Sequence, residues 1–492
     1  MDEGIRFVMG GRVRTVRVDD PTVTVLDWLR TRERRTGTKE GCAEGDCGAC
    51  TVVLGEAVGP EGAERLRYRA VNACILFLPT LDGKALFTVE DLKDPETGAL
   101  HPVQQAMVDH HGSQCGFCTP GFVMSLFAMA HDPEMPDRPD RAAIDDVLAG
   151  NLCRCTGYRP IVAAARQGLA GGREDRFSAA EAAVLALLKD CRRPPGRGLA
   201  LDWYRAPTSV AELAALLAEA PDSQILGGGT DVGLSVTKDH RALGPIIYTG
   251  AVADMADVTE RDGVLDIGAA ATYTDALPAL ERRFPALGAM VRRLGAVQVR
   301  NSGTLGGNVA NGSPIGDSMP PLIALGTRIV LNRGGVRREV VLEDFYLGYR
   351  QKDLKPGEFV ERIRIPLGPA DRLVGVYKVS KRPDQDISAV CAGFAMRLVD
   401  GKATGFRAGY GGMAAVPARA RACEAAIEGR PWTVETVTAG MAALASDFTP
   451  LTDMRASADY RAMVARNLLM KFYLESTGQD SGLAAAKGES HG

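Results

Sequence analysis

Eight of the eleven cysteines in this 492-residue chain fall before residue 156, in two tight groups, and no other feature constrains the fold so strongly. The first group is Cys42-Ala43-Glu44-Gly45-Asp46-Cys47-Gly48-Ala49-Cys50, with Cys74 further on. Its C-x4-C-x2-C…C spacing is that of a plant-type [2Fe–2S] centre. Gly41, Gly45 and Gly48 let the loop take positive φ and bring N–H groups toward sulfur, where hydrogen bonds tune reduction potential. Structural zinc also takes four thiolates, but usually from two short C-x2-C knuckles. The second group pairs Cys115-Gly116-Phe117-Cys118 with Cys153-Arg154-Cys155, and its spacing alone suits either zinc or an iron–sulfur cluster. Pro120 after Cys118 and Gly157 after Cys155 fit ligands at the starts of two helices, whose positive ends stabilise thiolates. Cys191, Cys391 and Cys423 stand alone and are given no role.

The start of the chain, Met1-Asp2-Glu3-Gly4-Ile5-Arg6, is charged at once and lacks the apolar stretch of a secretory signal. Disulfides are therefore a poor explanation of the cysteines. The most apolar helical stretch, Ala179 to Leu188, is interrupted by Glu181 and is too short for a bilayer. A soluble, cytoplasmic protein with no membrane partner is expected. A net charge of −3 gives no reason to expect nucleic acid, whose nonspecific binding needs clustered positive charge.

Along the chain, Ile5 to Val18 alternates apolar and charged residues around Gly10-Gly11, the pattern of a hairpin. Val25 to Arg30 follows at helical spacing, with Thr24 as its cap. Helical character begins near Asp91, with Phe122 to Met129 after Pro120 and another helix after Cys155. The Pro, Gly and Arg content of Arg192 to Gly198 marks 171–198 as a solvated connection. Beyond it, glycine-punctuated strands alternate with helices such as Ser209 to Ala220. A last change near Arg372 predicts a strand over Val374 to Val379, then helices to about Glu475 and a frayed polar tail.

Two glycine-rich stretches carry a second line of argument. They are Ile225-Leu226-Gly227-Gly228-Gly229-Thr230-Asp231-Val232, and Gly303 to Asp317 with Thr304, Leu305, Gly306, Gly307, Asn308, Asn311 and Ser313. Neither is the G-x-G-x-x-G dinucleotide fingerprint. Glycines still let backbone N–H groups approach a pyrophosphate, and Thr230, Thr304, Asn308 and Ser313 can add hydrogen bonds. Each stretch alone could equally be a tight turn.

The motifs GCAEGDCGAC, QCGFCTPGF and NLCRCTGYRP resemble the iron–sulfur portion of the xanthine dehydrogenase family of molybdenum hydroxylases. Arg300 to Asn308 through Ser313-Pro314-Ile315-Gly316-Asp317 resembles the same family's FAD-binding domain. Phe345 to Arg350, Ile363 to Pro366, Lys378 and Tyr410 to Met413 continue the pattern. The resemblance implies a multidomain α+β protein. Its parts would be a plant-type ferredoxin-like β-grasp domain (1–88), a four-helix [2Fe–2S] domain (89–170), a linker (171–198), an FAD-binding domain of the vanillyl-alcohol-oxidase-like type (199–371), a C-terminal flavoprotein domain (372–476) and a polar tail (477–492). It implies Cys42, Cys47, Cys50 and Cys74 as ligands of one cluster, and Cys115, Cys118, Cys153 and Cys155 as ligands of the other. Residues 225–232, Thr304 to Asn308, Asn311, Ser313, Asp317 and Lys378 would contact FAD, with Asp317 bonding ribose or another polar part. Gln114 matches a position near the molybdenum cofactor. One departure is Leu294, where the family often places an aromatic near the flavin ring.

The resemblance further implies an electron-transfer subunit. Substrate would be oxidised at a molybdenum–pterin centre on a large partner subunit, and electrons would pass through two [2Fe–2S] clusters to FAD and then NAD+. The chain ends soon after its flavoprotein part, so a separate partner is expected, commonly paired again as (αβ)2. One alternative is the equivalent subunit of a sister hydroxylase acting on another N-heterocycle or an aldehyde, or one using another acceptor. A non-enzymatic iron–sulfur redox sensor is the alternative from a different class.

Overall fold

The computed structural model describes residues 4–60, 62–170, 172, 174–194 and 196–479. Of the expectations above, the start at Met1 to Glu3 and all but the first three residues of the tail over 477–492 lie outside the described residues, as do Gly171, Arg173 and Pro195 of the connection.

Two compact units emerge: Met1–Leu213 with Ser223–Val252 and Gly295–Gly303, and Ala214–Asp222 with Ala253–Leu294 and Thr304–Gly492. The division runs through the stretch expected as one FAD-binding domain: the first unit holds 225–232 and Gly303, and the second holds Thr304 to Asp317.

The first unit opens with a five-stranded sheet of β1 (Ile5–Met9), β2 (Arg12–Val16), β3 (Thr51–Val58), β4 (Arg65–Asn72) and β5 (Ala85–Phe87), in the order β2-β1-β5-β3-β4. The hairpin turns at Gly10 and Gly11, both at positive φ. Such a turn matches the right-handed twist of the two strands. Helix Val25–Thr31 is capped by the Thr24 hydroxyl, which accepts from the Asp27 N–H, and it buries Val25, Leu26, Trp28 and Leu29. Trp28 meets Phe7 edge-on with centroids 5.5 Å apart. Parallel pairing of β1 with β5, beneath that helix, is the β-grasp arrangement.

Four helices follow: Pro102–Asp109, Thr119–Ala130, Arg141–Leu148 and Arg159–Leu169. Their core gathers Phe122, Leu126, Phe127, Ile144, Ile161 and Ala165. A second sheet orders β6 (Leu199–Leu201), β7 (Tyr204–Ala206), β8 (Gln224–Leu226) and β9 (Ile246–Tyr248) as β6-β7-β9-β8.

The segment expected as a solvated linker is built differently. Helices Arg176–Ala179 and Glu181–Cys191 occupy most of it, and Val184, Leu188 and Cys191 share a small core with Val8, Leu66 and Ala85 of the first sheet. The Pro and Gly residues that signalled a tether cluster only after Cys191. Upstream of them, apolar residues at i, i+4 and i+7 bury one face. Cys191 is therefore a core residue.

The second unit contains an antiparallel sheet ordered β10-β11-β16-β12-β13, from β10 (Val258–Arg261), β11 (Val264–Gly268), β12 (Arg328–Arg333), β13 (Val336–Val341) and β16 (Phe359–Pro366). A short ribbon, β14 (Tyr346–Gly348) and β15 (Gln351–Lys352), precedes β16. The last sheet is β17 (Leu373–Val379), β18 (Val390–Val399), β19 (Lys402–Gly411) and β20 (Ala418–Arg419). Here the sequence reading missed two ten-residue strands, since it ran directly from the Val374 strand to helices. Residues 390–396 are all buried, so their run of apolar side chains carries no alternation to betray a strand. The turn between them, Asp400-Gly401, has both residues at positive φ, the hairpin chemistry that could have signalled it.

Helix Met319–Leu325 lies against this sheet through glycines: a Cβ on Gly409 would stand 2.2 Å from the Pro320 carbonyl, and one on Gly393 2.4 Å from Pro321 Cα. Helices Arg421–Ile427, Val434–Asp447 and Ala458–Ser476 complete a core of Phe394, Phe406, Trp432, Leu469 and Phe472. No helix among the described residues is long and apolar enough to cross a membrane.

Candidate functional site

Cys42, Cys47 and Cys50 lie on the loop before β3, and Cys74 follows β4, so the sheet register itself brings Cys50 and Cys74 together. Cys42 Sγ accepts from the backbone N–H groups of Asp46 and Cys47, each at 3.3 Å. Hydrogen bonds from Cys47 and Cys74 hold Cys42 far below an ordinary thiol. Cys47 is pushed up by its bond to Cys42 and then by burial, and Cys74 by its bonds to Cys42 and Cys50 and then by burial. The thiols thus stand close enough to hydrogen-bond to one another. The glycines fit it: Gly45 and Gly48 stand at φ 79° and 69°. A Cβ on Gly41 would lie 2.6 Å from Cys47 Sγ.

In the second group Cys118 is the N-cap of helix Thr119–Ala130, and Cys155 lies just ahead of Tyr158, the N-cap of helix Arg159–Leu169. Cys155 Sγ donates to Cys115 Sγ at 3.5 Å. Burial, with Cys153 beside it, pushes Cys118 up to about 12. Cys153, against the opposing effect of burial, is lowered by the Thr156 hydroxyl 3.2 Å away. Cys115 and Cys155 are exposed, whereas Cys50 and Cys74 are buried. As the side chains stand, no group of three or more His, Cys, Asp or Glu among the described residues is disposed to hold a metal ion.

In the first unit, Ile225 and Leu226 belong to β8, and Leu226 is a core residue whose carbonyl accepts from Thr249. Gly227, Gly228, Gly229, Thr230 and Asp231 form the turn before helix Val232–Thr237. A Cβ on Gly228 would stand 1.7 Å from the Ser302 carbonyl, and Thr230 Oγ1 approaches the Cβ position of Gly303 at 3.3 Å. The same turn packs on the first cysteine group: Gly229 and Gly233 face the Ile75 carbonyl, and the Thr237 hydroxyl donates to the Ala43 carbonyl at 2.7 Å. Lys238 Nζ donates to the Cys42 carbonyl at 3.1 Å.

In the second unit, the Thr304 hydroxyl caps helix Leu305–Asn311 by accepting from the Gly307 N–H at 3.0 Å. Leu305 is buried, Gly306 lies so close to Ala269 that a Cβ would stand 2.3 Å from that methyl, and Gly307 is exposed. Asn308 Oδ1 is buried without a hydrogen-bond partner, so this helix carries an unsatisfied acceptor. Asn311 is exposed, and Ser313 Oγ accepts from the Ile315 N–H. Asp317 turns inward: its carboxylate accepts from Lys378 Nζ and from Ser388 Oγ, both at 2.5 Å, in a site where all three are buried. The expectation that Asp317 reaches a ribose therefore meets a carboxylate that already has two internal partners.

Sequence reasoning did not single out a buried amide junction in the first unit. Gln298 Nε2 lies 3.0 Å from Ser125 Oγ, 3.1 Å from Asn151 Oδ1 and 3.5 Å from Thr51 Oγ1. Nor did it single out a histidine pair. Asp175 caps helix Arg176–Ala179 and also meets His101 Nε2 at 2.7 Å and His131 Nε2 at 3.1 Å. Asn151 and Ser125 flank cysteine motifs, a signal that could have raised them. Gln298 and Asp175 carried none.

Residues 8–78 match the 2Fe-2S iron-sulfur cluster binding domain and 88–166 the [2Fe-2S] binding domain. Residues 199–368 match the FAD binding domain in molybdopterin dehydrogenase, and 375–476 the CO dehydrogenase flavoprotein C-terminal domain. Xanthine dehydrogenase of Emericella nidulans is 32% identical over 97% of this chain, and aldehyde oxidase 2 of Cavia porcellus 30% identical over 95%. The chain spans 39% of the length of each. Among solved structures, carbon monoxide dehydrogenase from Hydrogenophaga pseudoflava lacking the Mo-pyranopterin moiety aligns with TM-score 0.52 and 29% identity. That alignment covers 57% of this chain and 96% of the other.

Proposed function

From the premise that this chain carries the iron–sulfur and FAD domains of the molybdenum hydroxylase family, we propose that it is the electron-transfer part of a xanthine dehydrogenase, delivering electrons to NAD+. When bound, two [2Fe–2S] clusters supply one-electron carriers and FAD couples them to two-electron chemistry. Cys42, Cys47, Cys50 and Cys74 would hold the first cluster, and Cys115, Cys118, Cys153 and Cys155 the second. The N–H groups of Asp46 and Cys47 already point at Cys42 sulfur, as a thiolate ligand requires. The turn 225–232, and in the second unit Thr304 to Asn308, Asn311, Ser313, Asp317 and Lys378, are the proposed FAD contacts. The unpaired Asn308 oxygen favours a polar ligand there, with the Asp317–Lys378 pair orienting the segment.

One observation carries the reading: within the first unit, the glycine turn and the helix after it rest on Ile75, Ala43 and Cys42 of the first cysteine group. That contact supports passage between the first cluster and the flavin. The second group opens to solvent beside exposed Phe117, Leu152 and Tyr158. This supports a partner there, proposed as a large molybdenum–pterin subunit in an (αβ)2 assembly that oxidises hypoxanthine or xanthine in the cytoplasm.

A sister hydroxylase is the second reading, favoured by the similarity to aldehyde oxidase 2 and by Leu294 in place of an aromatic. Anaerobic addition of NADH to the purified chain, followed in the visible spectrum, tests the choice. Rapid bleaching of flavin and iron–sulfur absorbance supports the NAD+-linked reading. Bleaching by dithionite alone moves the assignment to another electron acceptor.

A further inference from the structure

The buried amide junction joins three parts of the first unit that are distant in sequence. Gly48, between Cys47 and Cys50, offers its carbonyl to the Thr51 N–H at 3.1 Å, the Thr51 hydroxyl at 2.7 Å and Asn151 Nδ2 at 3.2 Å. Asn151, two residues before Cys153, accepts from Ser125 Oγ at 2.7 Å, and its neighbour Leu152 donates its N–H to the Cys47 carbonyl at 3.0 Å. Glycines make this closeness possible. A Cβ on Gly48 would stand 2.1 Å from the Gly150 carbonyl, one on Gly121 2.1 Å from the Gly48 carbonyl, and one on Gly150 2.1 Å from Gln298 Oε1.

Gln298 reaches this junction from the segment that precedes the second glycine stretch. Its side chain is 1% exposed, its NH2 faces the three acceptors on Thr51, Ser125 and Asn151, and its Oε1 has no hydrogen-bond partner. An apolar residue of the same length would fill this space without leaving a buried oxygen unsatisfied. The amide is therefore retained at a cost, and what it supplies is donors to the residues that bracket both cysteine groups.

We infer that Gln298 is a positioning residue for electron transfer between the two clusters. Its NH2 fixes Asn151 and Thr51, they fix the Gly48 carbonyl, and the backbone N–H groups beside both sets of thiolates hold their orientation as a result. This rests on the iron–sulfur reading above. Without the NH2, Asn151 Oδ1 keeps only the Ser125 hydroxyl and Thr51 loses the donor beside it, so the amide that donates to the Gly48 carbonyl is held less firmly and the hydrogen bonds that set cluster potential change on both sides.

The test uses the full chain with its cofactors, reduced stepwise and followed by low-temperature EPR, in Gln298→Met and Ser125→Ala forms. With iron and flavin content at wild-type level, Gln298→Met should shift the sharing of one electron between the two clusters by about tenfold, equivalent to about 59 mV for a one-electron couple. Ser125→Ala, which removes one acceptor from Gln298 and one donor to Asn151, should shift it about threefold. If Gln298→Met does not fold, Ser125→Ala decides. Wild-type line shapes and sharing in every variant that carries both clusters overturn the inference. A wild-type chain that shows fewer than two [2Fe–2S] signals overturns the functional reading itself.

Discussion

The two cysteine groups supply the same number of thiols, yet they are housed in opposite ways. Around the first, Cys50 and Cys74 are buried at the end of a β-ladder, and the glycine-rich turn and the helix after it rest on Ile75 through Gly229 and Gly233 and on the cysteine loop through Thr237 and Lys238. Around the second, Cys115 and Cys155 are exposed at helix starts, next to exposed apolar side chains. Under the proposed function, the buried site would exchange electrons within its own chain and the exposed one with a docked partner, a direction that identical ligand chemistry could not give.

The sharpest way to break this comparison is to remove one ligand from each group. Cys74→Ser should abolish one [2Fe–2S] EPR signal, and NADH should then bleach flavin without reaching the second cluster. Cys155→Ser should abolish the other signal and leave NADH reduction of flavin and of the first cluster intact. If Cys155→Ser instead blocks NADH bleaching of the first cluster, the assigned directions are reversed.

Next in size are changes to what braces the loops. Gly48→Ala combines φ 69° with a Cβ 2.1 Å from a carbonyl, and should destabilise the chain by at least about 3 kcal/mol in a chemical melt. In the open second loop, Gly116 has φ 82° but nothing within 4 Å of a Cβ. Gly116→Ala should cost only about 1 kcal/mol of backbone strain. Equal losses would mean that the two loops are equally enclosed.

The second group's domain has its own brace in Asp175. Against burial, hydrogen bonds from His101 and His131 hold this carboxyl well below the usual carboxylate range. Its stabilisation is therefore full above the unfolded value near pH 4, and is lost only as pH falls below that through the folded value. Asp175→Asn should cost roughly 3 kcal/mol at neutral pH, with the gap to wild type closing in strong acid, as melts across pH would read.

The smallest effect belongs to Lys238, an exposed cation on the Cys42 carbonyl that also pairs with Glu44 at 3.3 Å. Lys238→Ala should lower the first cluster's potential by less than about 60 mV and leave the second unmoved, as a redox titration would read.

Much of this was legible beforehand because it depends on local chemistry. The Gly10-Gly11 hairpin, the Thr24 cap and the Pro120 helix start all follow from conformational preferences that a few neighbouring residues express by themselves. The strand at 390–399 was not legible, because burial of residues 390–396 on both faces erases the alternation that marks a strand; the strand at 402–411 keeps exposed Lys402 and Thr404 beside buried Ala403 and Phe406, a pattern that the sequence reading passed over. The stretch Ala179 to Leu188 was legible as helical, but its packing on the first sheet was not, because the prolines after Cys191 marked the whole segment as a connection. The sequence did not show that the Leu226 side chain belongs to the core, because that burial comes from distant layers.

The sequence by itself determined which atoms are available: eight thiols at ligand spacing, two glycine turns able to admit a polar ligand, and the helices and strands that carry them. Tertiary structure alone decided which thiols are enclosed, which glycine turn rests on which cysteine loop, and that Gln298 meets Thr51, Ser125 and Asn151. Ligand spacing is a property of a short stretch of chain. Enclosure and contact between distant segments exist only when whole layers pack, and no local pattern records them.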